Sequence, residues 1–594
     1  MLQIYANDRQ LDTAGVKFNI TLKNPMFITG DLEGSYIYNF KLPLTTLNRS
    51  VLEFPDRIEK YPGFSTDMDC RITFDGIPIV DQSTITVKYT GGNFLTANVK
   101  CGIGHIFYKL KDKLLSDIDL GGVRNLCGSP FIPIDYYNET VAGSYPDYDF
   151  VLFPVQNTEF YKDTNVDDNW KNNIQIVNYY LNGSFRQGLS SGDPTGGTFT
   201  PFPYIVYILN QIFGGYGYAS KSNVFLQNGD LRRLVLYNNY ADTVTVAVPD
   251  PGPPPTVVYS SKANHNINLA NQVPQYSVLD FLGDLRVFAL AYFVDSHSRS
   301  FDIKFLNDII RSADYIDYTD RTAPLRDIDH EKANGYKFSW EVSSDGWAGK
   351  YLHRDLSRFT IKDPVATVLD LPFDEYNEIN DVRLVIDQDV YYIFRWDEAS
   401  SGFTWNYFSY RFNDVESGSD PFWEMKSKIS PLMVDKLADQ NAQSPTRSWL
   451  VPVIEQSGSN KFFLNSEYQL HFNDPGKRFL FYRGMHQDSI GGSYPLGTND
   501  VYNYAGDKIA DANLSLKWEG AYGLYLNLWK TYLNWYINVR KLVTFSRIFA
   551  APEIRNLDFS KKHRIDGTDY LIKEIKIPVT EKEILPAKMD CYRV

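Results

Sequence analysis

Gly188-Leu189-Ser190-Ser191-Gly192 fits G-x-S-x-G, the pattern in which a strained strand-to-helix turn exposes a nucleophilic serine. That strain needs a buried strand before the serine and a helix after it. Here the flanks are NGSFRQ and DPTGGTF, so the segment reads as a flexible Ser/Gly loop. Asp163, Asn165 and Asp167 begin like a calcium loop. Asp168 stands where glycine must turn the chain, and Ile174 where a bidentate Glu must close it, so the stretch reads as a solvated acidic turn. The eight histidines are His105, His265, His297, His330, His353, His471, His486 and His563; none forms H-E-x-x-H. Asp295-Ser296-His297 alone is too common a pattern to assign a metal. Cys70, Cys101, Cys127 and Cys591 form no C-x-x-C and read as free buried thiols of a reducing compartment. There is no phosphate-cradling loop and no dinucleotide fingerprint. With 72 acids, no carboxylate pair for glycoside cleavage can be singled out. The expectation is a protein that is not an enzyme, with no catalytic, cofactor-binding or metal-ligating set.

The elements around these residues are mostly strands. Tyr36, Tyr38 and Phe40 alternate with Ile37, Asn39 and Lys41, a strand with both faces in use, and Pro43 ends it. RITFDGIPIVDQSTITVKYTGGNFLTANVKCG follows as a hairpin series, with turns at Asp75-Gly76 and Gly91-Gly92. Aromatic residues make up 15% of the chain, which suits pleated surfaces and large interfaces. The net charge is −13 and no run of five Lys or Arg occurs. Such a chain does not seek phosphates, and an acidic wall suits a channel through which DNA slides without sticking. MLQIYANDRQ lacks the basic and apolar regions of a signal peptide, and no stretch nears eighteen apolar residues, so no membrane-spanning segment is expected.

The length of 594 residues suggests three to five domains. The fold class reads as mainly β with several helices (α+β), multidomain, with barrel-like domains at both chain ends and peripheral domains between. Residues 1–122 are almost all strand, closed by an amphipathic helical piece in which Leu110, Leu114, Leu115 and Ile118 share a face. Residues 123–275 are loop-rich, with a helix at 200–214, capped by Thr200, and a hairpin at 241–260 with a proline-rich apex. Residues 276–330 form a helix-strand-helix module that starts after Ser277, and 331–515 return to short strands. Residues 516–594 place Leu524, Tyr525, Leu528, Trp529, Tyr532, Leu533 and Tyr536 on one helical stripe. Two strands joined at Asp566-Gly567 come next.

Three groups of residues resemble one family. The first is Asn24-Pro25, then a strand ending Leu42-Pro43, Thr45-x-x-Asn48 and the Gly76-Ile77-Pro78 hairpin. The second is Val294-Asp295, Arg299-x-Phe301 and Leu306-x-Asp308-Ile309-Ile310. The third is Trp529-x-x-Tyr532, Asn556-Leu557-Asp558-Phe559 and Arg564-Ile565-x-Gly567-x-x-Tyr570-Leu571-Ile572-Lys573. This order is similar to the tail-tip (baseplate) hub proteins of phages and prophages infecting Bacteroidota. The resemblance implies a structural virion protein of the tail, made in the host bacterial cytoplasm. It implies a homotrimer around the tube axis, each chain giving two related barrel domains from non-adjacent segments. Implied partners are tail-tube and distal-tail proteins, the tape-measure protein and receptor-binding or tail-fibre proteins, with DNA only as passing cargo. On this reading Tyr36, Tyr38, Phe40, Ile85, Val87 and Phe94 build the tube sheet, and Trp529 and Tyr532 pack the C-terminal helix on its neighbours. A glycan-binding or glycan-cleaving surface protein, suggested by the Tyr/Trp-rich loops at 335–410, is the alternative from another class. A distal-tail ring protein is the nearer one.

Overall fold

The structure is a computed structural model. It describes the chain except residues 28–31, 33, 58–66, 90, 127–132, 158–175, 187–198, 239, 241–242, 251–255, 264, 325–326, 330–333, 342–358, 374–376, 389, 398–401, 411–414, 440–446, 455–462, 465–469 and 472–476. The Ser190 loop, the Asp163 turn and the proline apex lie outside the described residues. What is described is mainly β with several helices, spread over many sheets.

The largest sheet is built from both ends of the chain. Its early strands are β1 (Leu2–Ala6), β2 (Lys17–Lys23), β3 (Ser35–Pro43), β4 (Asp67–Phe74), β5 (Ile77–Tyr89) and β6 (Phe94–Cys101), with helix α1 (Thr46–Val51) after β3. Its later strands are β7 (Asp327–Asp329), β8 (Leu542–Arg547), β9 (Lys562–Ile565), β10 (Thr568–Thr580) and β11 (Ala587–Arg593), with helix α2 (Ala551–Arg555) after β8. Neighbours run β1-β4-β5-β6-β3-β2-β10-β11-β8-β7, and β9 also pairs with β10. Asp75-Gly76 and Asp566-Gly567 make two of the hairpin turns, all four residues at positive φ, as tight primed turns demand.

These strands follow one plan twice. In the order β2, β3, α1, β4, β5, β6 the first set pairs as β4-β5-β6-β3-β2; in the order β7, β8, α2, β9, β10, β11 the second pairs as β9-β10-β11-β8-β7. Every contact in both is antiparallel. Residues 330–541 occupy the β7–β8 connection, where the first set needs only residues 24–34. The copies differ at one edge: β1 runs antiparallel to β4, whereas strand Tyr315–Asp317 runs parallel to β9. A seven-residue ladder from Lys17↔Thr580 to Lys23↔Glu574 welds the two sets into one sheet. Leu2 N donates to Glu581 O at 3.0 Å, which brings β1 back to the end of β10. One buried cluster unites Ile20, Ile37, Phe40, Ile85 and Val99 with Phe545, Ile575, Ile577 and Met589.

Most of the rest packs on a second cluster that runs from Met26 to Tyr592. Three buried ion pairs tie distant segments there: Arg483 with Asp230, Arg447 with Asp488, and Lys517 with Asp500. Helix boundaries depart from the sequence reading in two places. The helix expected at 200–214 begins at Ile205, because Phe202–Pro203 pairs as a strand with Phe150–Val151 and Tyr204, rather than Thr200, holds the N-cap position. Leu110 to Ile118 is no single helix. Helix Ile103–Leu110 stops there, and a 3₁₀ turn, Leu115–Asp117, follows with the Asp117 carboxylate accepting from Leu114 N. The helix after Ser277 is as expected, its hydroxyl accepting from Asp280 N. Strands Thr243–Asp250 and Thr256–Ala263 form the expected hairpin.

Candidate assembly surface

A β-bulge at Asn39 in β3, together with the alternation in β5 and β6, sorts the sequence-nominated residues onto two faces. Phe40, Ile85 and Val87 point into the core of the large sheet and are buried. Tyr36 is half-buried on the opposite face, where Tyr38 and Phe94 are 46% and 49% exposed. Trp529 and Tyr532 belong to the other core. Trp529 Nε1 donates to Val287 O at 2.7 Å, Tyr532 N donates to Asn307 Oδ1 at 2.9 Å, and the Trp529 ring packs against Phe338 and Trp423. The structure therefore brings Tyr36, Tyr38 and Phe94 to one exposed surface and leaves the other five inside.

That surface is held by cations. Tyr36 and Tyr38 stack with ring centroids 4.0 Å apart. Lys100, opposite Tyr36 across the β3–β6 ladder, donates to the Tyr38 hydroxyl and lies 4.3 Å from the ring centroid. Lys23 lies over Tyr36, and Lys41 over Phe94 at 5.7 Å. Such contacts contribute about 0.5–1 kcal/mol each at exposed sites. Lys17, Lys23, Lys41, Lys88 and Lys100 all take the outward positions of their strands. Sequence reasoning passed over these lysines, although period-2 alternation assigns the side of all but Lys41, which the bulge at Asn39 turns outward.

The Thr84 hydroxyl and His105 Nδ1 are 2.8 Å apart, but both residues are buried, and burial pushes the imidazole down to about 4. Burial pushes the Cys70 thiol up to about 12, and those of Cys101 and Cys591 higher still, so all three are poor nucleophiles. They are unbridged. A cleft of about 610 Å³ lies between β5, the Asp295–Ser300 turn and the segment after α2. Across it His297 Nδ1 stands 3.4 Å from Asp81, whose carboxyl this hydrogen bond holds below its ordinary range. Among the described residues, no three His, Cys, Asp or Glu side chains come together to hold a metal, and no helix is long and apolar enough to cross a membrane.

No protein family and no curated protein matches this chain. Among solved structures it is similar to the 43 kDa tail protein of prophage MuSo2 from Shewanella oneidensis, at 8% identity. The likeness covers 99% of this chain and 97% of that one, with a TM-score of 0.28.

Proposed function

We propose that this chain is a structural protein of a phage tail: the hub at the tail tip, assembling as a homotrimer around the tube axis. The observation that carries the reading is the duplicated strand plan in one sheet. A single module per chain gives a ring only the symmetry of its subunit number. Two modules per chain let three chains present six similar strand modules to a six-fold tube, and the insertion at 330–541 holds peripheral partners. On this reading the tube and distal-tail proteins meet the sheet, the tape-measure protein ends at it, and receptor-binding proteins attach to the insertion. The protein resides in the virion tail. The test is the mass of the purified chain, alone and mixed with a tail-tube protein. A discrete trimer, or rings that stack on tube ends, supports the hub. A monomer indifferent to tube protein overturns it.

One observation favours a second reading, glycan binding. Trp396 and Phe403 face each other across strands Val390–Asp397 and Gly402–Tyr410 and are both about half exposed. Aromatic faces of this kind stack on sugar rings. Retention of the chain on a polysaccharide matrix, lost in Trp396→Ala, would favour it.

A further inference from the structure

The outward face of β2, β3, β5 and β6 differs in charge from the molecule that carries it. The chain sums to −13, yet this face presents Lys17, Lys23, Lys41, Lys88 and Lys100 among Asn19, Thr86, Thr96 and Asn98. The acids at its borders are already matched. Asp67 accepts from the Tyr108 hydroxyl at 2.6 Å and the Thr86 hydroxyl at 2.8 Å; Asp69 pairs with Lys109, Glu574 with Lys576 and Asp590 with Lys588. Among the described residues, no ion pair joins Lys17, Lys41, Lys88 or Lys100 to a carboxylate. Where β3 and β6 meet helix Ile103–Leu110, a cleft of about 340 Å³ opens on this face. Lys23, Lys100 and Lys111 line it with Tyr36, Tyr38 and Tyr108, and no carboxylate is among its described lining residues.

We propose that this face binds the phosphates of duplex DNA, with the Lys23–Lys100–Lys111 cleft at its centre. Lysine ammoniums are compact point charges suited to sequence-independent phosphate contact, and the hydroxyls and amides between them donate to the same oxygens. Single strands are bound by stacking bases on bare rings. Here Tyr36, Tyr38 and Phe94 each lie under a lysine, so the face offers charge rather than a stacking platform. An acidic protein segment would also seek an apolar anchor, and the exposed Phe94 ring on this face is covered by Lys41. The rest of the acidic surface repels DNA, which confines contact to this face and makes it weak and salt-sensitive. This face is basic, although the chain as a whole carries −13. The inference rests on the tail-hub reading only for what brings DNA here.

The test is fluorescence anisotropy of a mixed-sequence duplex against salt, with oligomer mass measured on the same samples. Each neutralised phosphate contributes a slope of about −0.9 in log K against log salt, so the variant K17Q/K41Q/K88Q/K100Q should lose about 3 to 4 from the wild-type slope. It should also bind at least about tenfold more weakly at about 50 mM salt, while K426Q/K508Q/K582Q behaves as wild type. Unchanged thermal melting shows that the variants fold. Absence of wild-type binding at low salt, an unchanged slope in the quadruple variant, or displacement by inorganic phosphate or polyglutamate as effective as by duplex overturns the proposal. A trimer that ignores DNA refutes this inference alone. A monomer that binds DNA refutes the hub reading alone.

Discussion

Ile577→Ala is the substitution that asks whether the two strand sets are one structure. Ile577 is fully buried in β10 and sits directly opposite Ile20 of β2, also fully buried. Truncating a buried isoleucine costs about 2–5 kcal/mol. If the sheet opens as a unit, each 1.36 kcal/mol multiplies the open population tenfold, so opening rises about 30- to 5000-fold. Buried thiols report this directly. Cys70 and Cys101 belong to the first set and Cys591 to the second, and all three are closed to reagent and raised in pKa in the folded chain. Thiol labelling at mildly alkaline pH, resolved by peptide mass, should show the three accelerate by a common factor. Ile20→Ala should do the same, and the double variant should fall short of additivity by about 0.5–3 kcal/mol because the two side chains touch. Acceleration of Cys591 alone would refute the shared core.

Arg483→Ala strands the Asp230 carboxylate, which is buried and also accepts from Asn513 N. An uncompensated buried charge costs about 3–5 kcal/mol, so the denaturation midpoint should drop well below that of Lys582→Ala on the surface. Gly34→Ala drives a Cβ into the Gly104 backbone, where β3 meets helix Ile103–Leu110. The helix must shift, at about 1–3 kcal/mol, and the thermal midpoint should fall; an unchanged midpoint would contradict that close approach. Burial also pushes His563 and His105 down to about 4. As pH falls from about 6.5 to 4 the unfolded chain takes up protons that the folded chain refuses. Stability is therefore lost in that window, by at most about 1.4 kcal/mol per unit for each histidine. Asp284, which burial pushes up to about 6, protonates first in the folded state and returns part of that loss between about 6 and 4. The urea midpoint should thus decline from pH 7 to 5, and less steeply in His563→Gln. Equal slopes in the two proteins would show that His563 is accessible to protons.

The local grammar of the chain was legible where one principle acts alone. Asp-Gly and Gly-Gly set the turns, and alternation put Ile85 and Val87 on one face and Phe94 on the other, but strict alternation puts Phe40 beside Tyr36 and Tyr38, and the bulge at Asn39 turns it into the core instead. Where two forces compete, the sequence misled. Leu110, Leu114, Leu115 and Ile118 do share a helical period, but Asp117 caps a 3₁₀ turn locally, Leu110, Leu115 and Ile118 reach the core from separate elements, and Leu114 stays exposed. Thr200 could cap a helix, yet pairing of Phe202 with Val151 delays its start. The repeat of the strand plan was not legible as a periodic signal. The two sets share little beyond an Asp-Gly turn, and residues 330–541 interrupt the second. The lysine face was hidden for another reason: net charge sums over a whole surface, whereas strand geometry gathers cations on one side of it.

Mass photometry of the purified chain, followed by electron microscopy of the particles viewed down their axis, tests the central claim most directly. Three chains of 68.2 kDa should give a particle of about 205 kDa, with an open centre and six similar lobes around it. A 68 kDa particle under the same conditions, or a ring with three lobes only, would contradict it.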